Sequence, residues 1–149
     1  MRIAAASAGA ASIERQQLER RRASGARWFY WVAGLSLVNS IGMLTGQHWR
    51  FVVGLGFTQV VDALAARAGR GGAPAALLDL LLIGGFVLLG HFASRGEMWA
   101  FGAGLALYGL DGLIFLAARD WLGLGFHAFV LVMIGKGFQA TRQLATPSR

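Results

Sequence analysis

MWAFGAGLALYGLDGLIFLAARDWLGLGFHAFVLVMIGK, residues 98–136, decides the fold. Two apolar runs of helical length flank a two-residue polar turn, Arg119-Asp120. Each run approaches the ~20 residues an α-helix needs to cross the hydrocarbon of a bilayer. So short a turn makes them antiparallel neighbours. Each also carries a polar group at depth: Asp111 lies eight residues before Arg119 and His127 eight after it. At ~1.5 Å of rise per residue, the two share one level, on the order of 10 Å from the turn. An ionisable group in hydrocarbon costs roughly 2.5–3.5 kcal/mol on insertion scales, so it usually has a partner or a task.

Outward from this hairpin the chain repeats the pattern. Apolar spans are expected at 27–46, 49–66 and 74–92, followed by 98–118 and 121–140. The fold class is all-α: a polytopic membrane helix bundle of about five transmembrane helices, with a basic N-terminal interfacial helix. The second and fifth spans are the weakest. Asp62 interrupts one, and Lys136 arrives after about fifteen residues of the other. Each either crosses fully or turns back as a re-entrant segment. The expected divisions are a basic arm at 1–26, a transmembrane domain at 27–144 and a polar tail at 145–149. Within the arm, 1–11 reads as disordered, and Ser12 reads as the cap of a short helix at 13–23.

The composition agrees with this class. The chain is 56% hydrophobic and only 14% charged, against about 25% charged in a soluble domain. The formal charge of +7 does not point to nucleic acid, because the basic residues flank apolar runs and no nucleic-acid-binding pattern is present. Arg15, Arg20, Arg21, Arg22 and Arg27 precede an aromatic belt that opens at Trp28. They are read as contacts to anionic lipid headgroups. With the N-terminus inside and five crossings, the inner segments hold Arg2, Arg15, Arg20, Arg21, Arg22, Arg27, Arg67, Arg70 and Arg119. The outer segments hold Arg50, Arg95, Arg142 and Arg149. The excess inside predicts a cytoplasmic N-terminus and an external C-terminus in a cell membrane, bacterial inner membrane being the simplest.

Two stretches echo each other. Ala33-Gly-Leu-Ser-Leu37 matches Ala103-Gly-Leu-Ala-Leu107, and Gly54-Leu-Gly-Phe57 matches Gly123-Leu-Gly-Phe126. With an odd number of spans between them, the copies would be inverted in the membrane, a pattern found in many transporters.

The candidate proton- or ion-site residues are Asp111, His127, Asp62 and Asp79, read as one layer in the inner third of the bilayer. Stacked carboxylates and a histidine can pass protons. The plainer reading makes Asp111–His127 a structural hydrogen-bonded pair and lets Asp62 and Asp79 reach headgroups or pair with Arg67 and Arg70. Asn39 and Gln59 read as interhelical glue, and Lys136 as snorkelling to the surface or as a buried countercharge. His91 and His127 lie roughly 15 Å apart in depth by residue count, too far to share a haem. His48 and His91 are a weak metal signal.

There are no cysteines, which excludes disulfides and thiolate chemistry. The Gly-x-Gly repeats lack the strand and the Lys of a phosphate loop. No catalytic set, metal site or cofactor is evident. The expected function is a small proton- or cation-coupled transporter or channel-like protein with a polar site, assembled as a homo-oligomer. The alternative is a non-catalytic accessory subunit of a larger membrane complex. A lipid-modifying enzyme ranks last, for want of a nucleophile.

Overall fold

A computed structural model describes residues 2–44, 55–67 and 73–146. All of its regular structure is helical: α1 (Arg2–Leu44), α2 (Gly56–Arg67), α3 (Ala73–Ser94), α4 (Met98–Ala117) and α5 (Trp121–Ala145). Ala76–Ser94, Met98–Ala117 and Trp121–Ala145 are long and apolar enough to cross a membrane. The sequence pattern suggested five such spans; among the described residues there are three. The apolar half of α1 is diluted by Arg27, Asn39 and its interfacial aromatics. The twelve residues of α2 rise only about 18 Å, against about 30 Å of hydrocarbon.

One helix runs across the expected boundary between arm and first span. Ser12 does not start it. The Ser12 hydroxyl donates to the Gly9 carbonyl, 2.8 Å away, inside a helix that already covers 2–11. Glu, Gln, Arg and Leu side chains at 14–22, none of them branched at Cβ, favour helix continuation. Gly25 does not break it either, because its bare backbone is used for packing. A Cβ on Gly25 would stand 2.6 Å from the Cα of Gly137 in α5.

α1 is the central element and packs against both α3 and α5. Phe29 anchors the core, with ring centroids 6.0 Å from Phe101 and 6.3 Å from Phe86. Its ring fills the space that a side chain at Gly104 would occupy. Trp28 meets Phe129 edge-on at 5.1 Å. The hairpins close tightly: Gly96 turns α3 into α4 at φ 90°, and Arg119 turns α4 into α5 at φ 55°.

The directions of the helices correct two expectations. Ala11, Ser12 and Arg15 of α1 line a groove with Gln143 and Leu144 of α5 and Thr146 just beyond it, and Arg22 lies against Gly96 in the α3–α4 turn. The N-terminal half of α1, the α3–α4 turn and the end of α5 therefore share one end of the bundle. The last helix finishes beside the first rather than opposite it. The reason is α2: Leu55 starts it beside Ser36 of α1, inside the bundle, so this segment does not carry the chain from one end to the other. With that traverse removed, α1 and α4 run in the same direction. The echoing stretches at 33–37 and 103–107 are accordingly parallel, not inverted.

Candidate functional site

The site is built on the beginning of α2. The first amides of any helix have no partner within it, and buried ones must find acceptors elsewhere. Here tertiary neighbours supply them. Leu55 N–H donates to Ser36 Oγ at 3.1 Å. Gly56 N–H donates to Asp111 Oδ2 at 2.9 Å, and Phe57 N–H to Asp111 Oδ1 at 2.8 Å. The Ser36 hydroxyl donates to the Val32 carbonyl, and the Thr58 hydroxyl closes the turn by donating to the Leu55 carbonyl. A carboxylate at a helix N-terminus is also favoured by the helix dipole.

Behind Asp111 stands His127, with Nε2 2.8 Å from Oδ2. Its Nδ1 is 2.9 Å from the Gly123 carbonyl. A carbonyl only accepts, so Nδ1 carries a hydrogen. Nε2 faces an oxygen that already receives the Gly56 amide, and it donates in turn when the imidazole is doubly protonated. The ring lies between two aromatics: Tyr108 stacks at 4.3 Å and 12°, and Phe115 covers the other side at 4.4 Å and 36°. Phe115 reaches this position because Gly56 and Gly123 leave room for it. A Cβ on Gly56 would stand 2.6 Å from the ring, and one on Gly123 would also collide with it.

A second buried carboxylate lies between α1 and α3. Asp79 is 2% exposed, and its Oδ2 accepts from the Ser40 hydroxyl at 2.8 Å. No described residue donates to its Oδ1. It therefore neither reaches the surface nor pairs with Arg67. Asn39 is buried beside this region of α1. Between α2, α3 and α4 lies an apolar groove of about 380 Å³ lined by Leu55, Phe57, Leu82, Phe86, Leu107 and Asp111.

The structure thus brings Asp111 and His127 together and sets Asp79 apart on Ser40. The side chains of Asp62 and Gln59, and all of His48, Arg70 and the start of the second span at Trp49, lie outside the described residues. Lys136 is exposed. With Arg21, Gln139 and Gln143 it lines a concave surface at the end of the bundle shared by both termini of the helical region. Arg15 pairs with Glu19 at 3.3 Å on the surface; Arg20, Arg21 and Arg27 are exposed, and Arg22 is partly covered. His91 is exposed and touches Phe92 edge-on. Among the described residues, no three His, Asp or Glu side chains gather to hold a metal.

Sequence reasoning missed Ser36, Ser40, Tyr108 and Phe115. Ser36 and Ser40 are four apart, on one face of α1, within an apolar run. Tyr108 precedes Asp111 by three residues, again on one helical face. Both spacings were available as signals. The amides of Gly56 and Phe57 had none, since any residue offers an amide.

No known protein family, curated protein or solved structure matches this chain.

Proposed function

We propose that this chain is a multi-pass membrane protein of transport type, coupled to protons or cations and working as a homo-oligomer. One observation carries the reading: a twelve-residue helix begins inside the bundle, and the ionisable pair Asp111–His127 holds its first amides. Discontinuous helices whose ends meet charged groups at depth are the recurring device of membrane transporters. A link made by a carboxylate and an imidazole is held by their hydrogen bonds to buried amides and to each other. Releasing it frees the N-terminus of α2.

In the proposed topology α1, α3, α4 and α5 cross, and α2 stops within the bilayer. Both chain ends are then cytoplasmic. The charge pattern supports this orientation. Among basic residues with described side chains, Arg15, Arg20, Arg21, Arg22, Arg27, Arg95, Lys136 and Arg142 belong to the end with the chain termini, and Arg67 and Arg119 to the other. The exposed Arg21 and Lys136 surface suits anionic lipid headgroups.

The test is ion or proton flux in liposomes containing the purified protein. Flux that disappears in Asp111→Asn, with the protein still inserted, is the expected result; undiminished flux in that variant overturns the reading.

A second reading is an accessory subunit of a larger membrane assembly. Gly84 and Gly85 of α3 and Gly102 and Gly109 of α4 have nothing within 4 Å of an added Cβ. Such bare backbone at membrane depth lets another helix approach closely. Co-migration with a much larger complex in mild detergent would favour this alternative.

A further inference from the structure

Among the described residues two carboxylates are buried, Asp79 and Asp111, and their surroundings differ in kind. Asp111 is saturated by the protein. Gly56, Phe57 and His127 all approach its two oxygens within hydrogen-bond distance. It is a positioning group, and placing a proton on it means dismantling the start of α2. Asp79 has one hydroxyl donor, Ser40, on Oδ2, and no described residue donates to Oδ1. At 2% exposure that oxygen has little access to solvent. A bare carboxylate oxygen in so apolar a place is costly, whereas a carboxylic acid is neutral and can keep Ser40 on its other oxygen.

We infer that Asp79 is the exchangeable acid of this protein, held as a neutral carboxylic acid by its place between α1 and α3 and oriented by Ser40. The assignment deepens the transport reading and rests on it for the acid's role: Asp79 takes up and releases the coupled proton, while Asp111–His127 positions α2.

The charged neighbours are few. α1 has no ionisable group between Tyr30 and Leu44, and α3 has none but Asp79 between Ala73 and Phe86. α4 offers Tyr108 and Asp111 and α5 offers His127; Asp111 and His127 engage each other, and the Tyr108 ring stacks on His127. α2 brings Asp62, whose side chain lies outside the described residues, and the exposed Arg67. No described cation reaches Asp79, so no countercharge is seen to hold it ionised.

The experiment uses the full chain in detergent, treated with dicyclohexylcarbodiimide and mapped by peptide mass spectrometry. This reagent adds the O–H of a protonated acid across its C=N bond, and the acyl group then migrates to nitrogen to leave a stable adduct. The expected adduct is on Asp79, absent from Asp79→Asn, retained in Asp111→Asn and not found on Asp111 in the wild type. Its yield should fall about tenfold for each pH unit above the titration midpoint. Infrared difference spectroscopy covers the case in which the reagent cannot enter: the carbonyl band of a protonated acid should vanish in Asp79→Asn and shift in Ser40→Ala. Absence of both adduct and band between about pH 5 and about pH 9 overturns the assignment.

Flux separates this inference from the reading beneath it. Normal wild-type flux that persists in Asp79→Asn defeats the proposed role of Asp79 and leaves transport standing. A protonated Asp79 in a protein that carries no flux defeats transport and leaves the neutral acid standing.

Discussion

His127 Nε2 lies 2.8 Å from Asp111 Oδ2 across a turn that puts the two residues sixteen positions apart in the chain. The same carboxylate receives the first two amides of α2, more than fifty positions upstream. Three helices thus meet at one side chain. The strength of the arrangement lies in saturation, because each oxygen has at least one donor and the imidazole has an acceptor on its far side.

Asp111→Ala should therefore be far worse than Asp111→Asn. The alanine variant strands two buried amides and the imidazole together, a loss of about 3–5 kcal/mol. Asparagine keeps one oxygen as an acceptor for a single amide, and should lose about 1–3 kcal/mol. Thermal unfolding of the two variants in detergent ranks them. Equal melting temperatures would show that α2 is not held by this group.

His127→Phe keeps a flat ring between Tyr108 and Phe115 while removing a donor to Asp111. It should fold, with stability lowered by about 1–3 kcal/mol, and proton-coupled flux should be lost. A variant that retains full flux would make His127 a packing residue.

Ser36→Ala removes the acceptor for the Leu55 amide at a fully buried position. The expected cost is about 1–3 kcal/mol. Hydrogen exchange should localise the change to the first turn of α2. Exchange that rises evenly over all the helices would contradict that localisation.

Gly25→Val should separate α1 from α5, since even a Cβ would stand 2.6 Å from the Gly137 backbone. Overpacking of this kind costs typically about 1–3 kcal/mol. A melting temperature unchanged from the parent would mean that the two helices do not pack as closely as described.

Topology can be tested directly, because the chain has no cysteine to give background labelling. Single cysteines at Ser12 and Gln143 should react with a membrane-impermeant maleimide from one side, and a cysteine at Arg119 from the other. Labelling of Ser12→Cys and Gln143→Cys from opposite sides would restore the five-crossing arrangement.

Much of this molecule was legible in its sequence, for a local reason. Hydrophobic run length reports whether a helix can cross a bilayer, and the fixed rise of a helix turns residue counts into depth. That is why Arg119, with Asp111 and His127 at equal distances from it, sufficed to put those two side chains on one level. The apolar helices Ala76–Ser94, Met98–Ala117 and Trp121–Ala145 follow from the same property.

Only the tertiary structure decided what holds the first turn of α2 and where α5 ends relative to α1. Whether a marginally apolar stretch crosses or stops inside depends on what receives its unpaired amides. Those receivers, Ser36 and Asp111, come from other helices. The partnering of Asp79 with Ser40 is likewise a contact between residues thirty-nine positions apart. Hydropathy and spacing describe each helix against the membrane. Satisfying buried polar groups is a relation between helices, and it exists only once they are packed.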